Sequence, residues 1–395
     1  MKFDITKKLT GANARAGTIA TPHGEIQTPA FVVVGTKGTV KAITAEQIRN
    51  LKIQVVLGNT YHLYLEPGED IVSRAGGIGS FMDWGGPTMT DSGGFQAFSL
   101  GVAFGSSVSK VATGEELLED EIITSERLAK VTEDGVEFKS HKDGSKHLFT
   151  PERSMEIQWK LGADIIFAFD ECTSPTASYE YQQEALARTE RWASRCLDRH
   201  NQLDTEHVQA LFGVVQGGRF QDLREAAART MATLPFDGYG IGGSFTKADI
   251  GTAVGWVNAI LPQDKPRHLL GIGEPGDLFS AVEAGCDLFD CIAPTRLGRH
   301  GTLYTKNGTI NITGAQYKQD FSPMDDGCTC YTCTHHTRAY LCHLFRAEEM
   351  LAATLASIHN LHFIVRLVER MREAIIDGTF AHFKESFLKN YYAVY

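Results

Sequence analysis

The chain has 395 residues, 43% hydrophobic and 22% charged, so it can bury a large core and is neither a disordered tail nor a coiled coil. Its formal net charge of −10 excludes indiscriminate nucleic-acid binding and requires any polyanion to be met by a local basic face. Thirty-nine glycines against twelve prolines suit many tight strand-to-helix turns rather than a proline-rich linker protein.

The opening segment, MKFDITKKLTGANARAGTIATPHGE, has early lysines but no apolar core after them, and nowhere is there a run of about 18 apolar residues. A cytoplasmic protein without a membrane segment is expected. Further along, short apolar runs recur at 31–38, 53–59, 87–91, 163–170, 210–216, 238–243, 267–273 and 286–290. Most read like FVVV, IQVVL, ADIIFAF, ALFGVV, RHLLGIG or CDLFD, too short for helices and too continuous for half-exposed strands. Amphipathic stretches of helical length lie between several of them, at 44–51, 151–162, 179–200 and 276–285. Eight buried parallel strands alternating with helices predict an α/β fold, a (β/α)8 barrel.

In that fold the active site is assembled at the C-terminal rim from the ends of several strands. Asn59, Asp91, Asp170, Gln216, Gly243, Gly273 and Asp290 all fall there. Any one Asp or Asn after a strand can be a helix cap or a turn residue, but three Asp directly following apolar strands are harder to dismiss together. In TDSGGFQAFS, Asp91 precedes Gly93 and Gly94, which let the backbone turn sharply and a ligand approach; GVVQGG does the same for Gln216, and GIGGS at 240–244 offers backbone N–H groups.

As a set these groups complement a planar, donor-rich ligand. Guanine presents N1–H and N2–H2 donors beside the O6 acceptor, so a carboxylate facing the donors and an amide or backbone N–H facing O6 would recognise it. Breaking a glycosidic bond through an oxocarbenium-like transition state needs one carboxylate as nucleophile or ion stabiliser and another group to handle the leaving-group proton. Three rim aspartates supply both needs.

TDSGGFQ, FDECT, GVVQGG, FDCIAPTR and a Cys-x-Cys-x-x-Cys segment, in this order, resemble a tRNA-guanine transglycosylase of the bacterial type, over residues 13–375. The resemblance implies a barrel pentosyltransferase that exchanges the wobble guanine of a GUN anticodon for a 7-deazaguanine without cutting the strand. By motif it implies Asp290 as nucleophile on the ribose C1′, Asp91 as general acid/base, and Asp170, Gln216 and the Gly243 backbone as readers of the purine edge. Phe95 and Leu270 would wall the flipped base, and Asn59 would touch ribose. Each also has a plainer reading: Gln216 as a buried barrel glutamine, Phe95 and Leu270 as ordinary core, Asn59 as a turn residue.

Cys328, Cys330 and Cys333 stand at metal-ligand spacing, and with His359 in ASIHN they make a three-thiolate, one-imidazole set suited to one structural Zn2+ per chain. His335, His336, Cys342 and His343 are nearby competitors; the family pattern selects His359. Around this segment lie Arg296, Arg299, Lys306, Lys318, Arg338, Arg346, Arg366, Arg370 and Arg372, a basic stretch that can meet tRNA phosphates, with Arg296 and Arg299 closest to the FDC motif. The resemblance further implies a homodimer.

Two departures from the family pattern stand out. An acidic insertion at about 102–129 is some twenty residues longer than the corresponding family loop. After the sixth strand the chain reads GGSFTKAD where relatives that use 7-aminomethyl-7-deazaguanine read GGLAVGE, so the pocket loses an acceptor for a small cation and suits the bulkier queuine, with the aminomethyl base as the alternative. His268 stands where relatives often carry Tyr. The expected division is a catalytic barrel at 1–300, a zinc-binding subdomain with closing helices at 301–375, and a C-terminal helix or tail at 376–395. A non-catalytic tRNA-binding partner subunit is the rival, but it would have no need of all three aspartates.

Overall fold

The computed structural model describes residues 1–102, 129–174, 177–242 and 250–393. The chain begins with a three-stranded antiparallel sheet, β1 (Lys2–Lys8), β2 (Arg15–Thr21) and β3 (Gly24–Thr28). Then come β4 (Ala30–Val34), β5 (Val56–Gly58) and β6 (Thr88–Thr90), and a second antiparallel sheet of β7 (Ala129–Val131), β8 (Val136–Lys139) and β9 (Lys146–Phe149). β10 (Ile165–Phe167), β11 (Ala210–Val215), β12 (Gly238–Ile241), β13 (Arg267–Leu269) and β14 (Leu288–Cys291) follow, and a hairpin of β15 (Thr302–Thr305) and β16 (Gly308–Asn311) comes last. Strands β4, β5, β6 and β10–β14 pair in parallel and close on themselves, with β14 returning to β4: the predicted eight-stranded barrel.

Alternation along each strand sorts its side chains between two cores. Ala30, Val32 and Val34, Leu57, Met89, Ile165 and Phe167, Ala210, Phe212 and Val214, and Leu288 pack together as the barrel interior. Phe31 and Val33, Val56, Ile166, Leu211 and Val215, Tyr239 and Ile241, Leu269 and Phe289 join the helices in a larger outer sheath. Because both faces of every barrel strand are buried, the sequence shows runs of apolar residues with the period hidden inside them.

The strands are shorter than the apolar runs suggest. The run 31–38 ends as strand at Val34, and Gly38 turns the chain with φ 66°. The run 163–170 keeps strand geometry only at Ile165–Phe167, and 267–273 only at Arg267–Leu269, before Gly271 turns with φ 75°. The predicted helices appear as Ala45–Asn50, Pro151–Leu161, Tyr179–Leu203 and Pro275–Glu283. Thr44 starts the first with a reciprocal capping box to Gln47. Most of the 102–129 insertion, residues 103–128, lies outside the described residues.

The N-terminal sheet, which the polar opening segment concealed, plugs the barrel from below: Ile19 and Ile26, with Phe3, belong to the interior cluster. Arg15 fixes it there through a buried bidentate pair with Asp287 at the start of β14, 2.9 and 2.6 Å, while its other nitrogen donates to the Gln263 carbonyl. Arg372 adds donations to the carbonyls of Gly17 and Thr28.

The helix that follows β14 in barrel order is Met350–Asp377, some sixty residues later in sequence. Its second half, from Ile358 to Ile375, packs in the outer sheath with Phe31 and Val33 of β4. Its first turns contribute Ala352, Leu355 and Ala356 to a separate small core with Leu303, Ile312, Met324 and Leu341. One helix therefore serves two bodies. It is long and apolar enough to cross a membrane by composition, but 67% of its apolar stretch is buried inside the protein.

Candidate active site and metal centre

The same alternation that builds the interior carries three polar side chains up to its mouth. Asn59 follows Leu57, Asp91 follows Met89, and Asp290 follows Leu288, each two residues beyond an interior-facing neighbour. Gln216 stands likewise two beyond Val214. Parity thus selects inward-facing positions at the rim.

Asp91 is gripped from two sides. Its Oδ1 accepts the Thr60 backbone N–H at 2.9 Å, at the first turn of the Thr60–Leu65 helix, where the helix dipole favours a negative charge. Its Oδ2 accepts from the Asn59 amide and, at 2.8 Å, from Gln96 Nε2. Asn59 occupies the N-cap position of that helix but makes no side-chain cap; its amide is spent on Asp91 instead. Gln96 was not singled out in the sequence, although it stands five residues after Asp91 in the DSGGFQ motif.

Asp170 is buried beyond β10, with Ser92 Oγ at 3.3 Å from Oδ1 and Gln216 Nε2 at 2.7 Å from Oδ2. Ser92 adjoins Asp91, so one backbone link separates the partners of the two carboxylates. Gln216 Oε1 is buried and has no hydrogen-bond partner among the described residues. Its amide lies across Gly242, where a Cβ would sit 2.4 Å from Nε2, so only glycine fits beneath it. Gly217 and Gly218 turn the chain away with φ of 126° and 59°.

Asp290 ends the β14 side of the rim, its side chain 15% exposed. Its Oδ1 accepts from Gly271 N at 2.9 Å and lies 2.9 Å from His268 Nε2. Leu270 is half-buried against the interior cluster, and Phe95, half-buried, opens the Gly94–Val102 helix. Gly243 lies outside the described residues, as do Ser244 to Asp249.

Arg296 and Arg299 fall in the last turn of the Ala293–Arg299 helix, which starts just after Asp290. Arg296 is exposed; Arg299 is half-buried, and burial together with the Arg296 charge lowers its pKa. Much of the remaining basic stretch is already engaged: Arg338 pairs with Asp320 at 3.0 Å, Arg366 with Glu369 and Glu373, and Arg370 lies over the Phe383 ring at 4.5 Å.

Away from the rim, Cys328, Cys330, Cys333 and His359 offer four ligand atoms within 4.8 Å of one another. His359 Nδ1 is 3.9, 3.5 and 3.3 Å from the three sulfurs. A tetrahedral zinc with the usual Zn–S and Zn–N bond lengths separates S from N by about 3.6 Å, so the donors stand ready for such an ion. His359 Nε2 faces the Tyr304 carbonyl at 2.7 Å, which puts the proton there and leaves Nδ1 as the ligand atom. The adjacent Asn360 side chain accepts from Tyr304 N and donates to the carbonyls of Pro294 and Thr302, locking β15 against the helix. Four protein donors leave no open position, so the cluster can hold a metal ion of structural kind.

Known proteins resemble this chain over nearly its whole length. A family model described as Queuine tRNA-ribosyltransferase matches residues 10–393. A protein named Queuine tRNA-ribosyltransferase from Caldanaerobacter subterraneus subsp. tengcongensis is 46% identical over 395 residues, covering 99% of this chain and 98% of that one. Proteins of the same name from Desulforamulus reducens and Staphylococcus epidermidis are 46% and 44% identical, each covering 98% of this chain and 98% and 96% of their own length.

Proposed function

From the premise that this chain belongs to the queuine tRNA-ribosyltransferase family, we propose that it exchanges guanine for a 7-deazaguanine in tRNA by a covalent route through Asp290. The chain is a transferase of the pentosyl class acting on tRNA. The observation that carries the mechanistic reading is the gathering of Asp91, Asp170 and Asp290 at one barrel mouth, each on a separate strand end and each already held by donors.

In this reading Asp290 attacks the ribose C1′ as the C1′–N9 bond to guanine breaks, and Asp91 gives the departing base its proton. The incoming base then yields its N9 proton to Asp91 and attacks C1′, and the ester to Asp290 breaks. Asp170 and Gln216 bind the purine edge, and Gln216 Oε1, which has no partner among the described residues, supplies a buried acceptor for it. The Gly243 backbone reads the same edge. Phe95 and Leu270 wall a base that has left its stack, offsetting an unstacking cost of a few kcal/mol. Asn59, which holds Asp91, also touches the ribose in this reading. Arg296 and Arg299 contact phosphates beside the nucleophile.

The cluster of Cys328, Cys330, Cys333 and His359 holds Zn2+, which when bound staples the subdomain to the barrel helix. Residues 1–300 then carry the chemistry, 301–375 the zinc-binding support, and 376–395 the closing tail. Homodimer assembly, implied by the family resemblance, is checked by sedimentation of the purified protein.

The base taken up is queuine, a reading that rests on GGSFTKAD at 242–249 in place of the segment that receives the aminomethyl base. The test is release of labelled guanine from a tRNA with a GUN anticodon, with queuine or 7-aminomethyl-7-deazaguanine as co-substrate. Release with queuine alone supports the whole reading, preference for the aminomethyl base removes the queuine assignment, and release with neither leaves only a tRNA-binding role.

A further inference from the structure

Among the described residues, the wall of the barrel interior below Asp290 is apolar at Phe167 and Leu288, and His268 on β13 stands beside them as a polar side chain. The imidazole is fully buried. It meets Phe167 edge to face, ring centroids 5.3 Å apart at 89°, and its backbone pairs in register with Leu288, one pleat below Asp290 on the same face. From there it reaches up the barrel axis, placing Nε2 2.9 Å from Asp290 Oδ1. Its other nitrogen, Nδ1, is buried and has no hydrogen-bond partner among the described residues.

Those two facts fix the proton. A proton on Nδ1 would sit unpaired in an apolar wall and leave Nε2 facing the carboxylate lone pair to lone pair; a proton on Nε2 makes a donor to Oδ1. An apolar side chain of similar size would fill the site without leaving Nδ1 unsatisfied, so packing alone gives no reason for an imidazole here. The Gly271 N–H donates to the same oxygen, and the two donors together fix the rotation of the carboxylate.

We propose that His268 is a positioning residue for Asp290: its Nε2–H and the Gly271 N–H pin Oδ1, which sets the carboxylate plane and the direction in which it meets C1′. The inference rests on the reading of Asp290 as nucleophile. It assigns a task to a chain-interior residue that does not itself touch the substrate. A group that only orients another acts on the rate of the bond-forming step and leaves ground-state binding of tRNA and base nearly untouched.

The experiment compares the unaltered protein with His268→Phe, His268→Gln and Asp290→Asn, each checked for an unchanged thermal midpoint. Two quantities are read: the rate of covalent tRNA adduct formation, trapped on denaturing gels in a single turnover, and KM for tRNA and base. His268→Phe is expected to slow adduct formation by about tenfold to a hundredfold, the loss of one hydrogen bond to a charged group, with both KM values within about twofold. His268→Gln, which keeps a donor, is expected to recover most of that loss. Full adduct rate in His268→Phe overturns the proposal, as does a Gln variant no better than Phe at equal stability. Adduct formation by Asp290→Asn would instead remove the nucleophile reading itself.

Discussion

The barrel mouth and the Cys3His cluster are both gatherings of polar side chains, yet they are built on opposite principles. At the mouth, Asp91, Asp170 and Asp290 come from strands far apart in sequence, and each is held by donors from neighbouring elements. In the cluster the three thiols lie within six residues of one another, the fourth ligand comes from one helix, and the donors close on themselves. The proposed exchange needs carboxylates assembled from several strands, whereas a closed set of four donors adds stability and does no chemistry. Damage at the two places should therefore be read on different instruments.

The largest effect expected is at the mouth. Asp290→Asn should reduce guanine exchange by at least about 10⁴-fold and abolish trapping of a tRNA adduct while the thermal midpoint stays within about 2 °C; a comparable fall in the midpoint would erase the contrast between the regions. Asp91→Asn should cost about 10²–10⁴ in the rate of exchange, again without a change in melting, as expected for loss of a general acid/base.

Cys330→Ser, or metal removal by a chelator, should do the reverse. The midpoint should fall by roughly 5–15 °C, with metal analysis giving about one zinc per untreated chain, because binding free energy at such a site is folding free energy. An unchanged midpoint in the metal-free protein would mean that the cluster is not structural.

A smaller effect belongs to Arg296. Replacing it with Gln should weaken tRNA binding modestly and lower the slope of log affinity against log salt by about 1, measured by filter binding over a salt series. An unaltered slope would remove Arg296 from the phosphate-contacting set.

The smallest effect is chemical and leaves activity alone. Burial pushes the thiols of Cys196 and Cys286 up to about 12, so iodoacetamide at pH 8 should spare both in the folded protein. Cys328, Cys330 and Cys333 should join the labelled residues, counted by mass spectrometry, only after chelation. Labelling of Cys333 in the untreated protein would argue against a bound metal.

The two regions were also unequally legible in the sequence. The cluster could be read from spacing, since Cys328, Cys330 and Cys333 are local, and only His359 needed a distant partner chosen among several histidines. The barrel strands were visible because burial on both faces leaves runs such as ALFGVV, but their ends were overestimated where glycines such as Gly38 and Gly271 turn the chain. The plug of β1–β3 was missed because its outward residues are lysines and threonines, and its apolar residues, Phe3, Ile19 and Ile26, are too sparse to make a run. The three aspartates were legible as strand ends. What they touch was not: Gln96 on Asp91 and His268 on Asp290 are contacts that depend on register and helix placement, which no local pattern encodes.

The long separation between β14 and its covering helix has a consequence for how the chain is made. At 5–20 residues per second, the ribosome needs roughly 4–17 s after β14 emerges to produce the part of the helix that shields the seam between β14 and β4. During that interval the last strand is finished but uncovered, and the cysteines of the intervening segment reach solvent before His359 exists. The four-residue set of Cys328, Cys330, Cys333 and His359 is therefore complete only once the covering helix has itself been made.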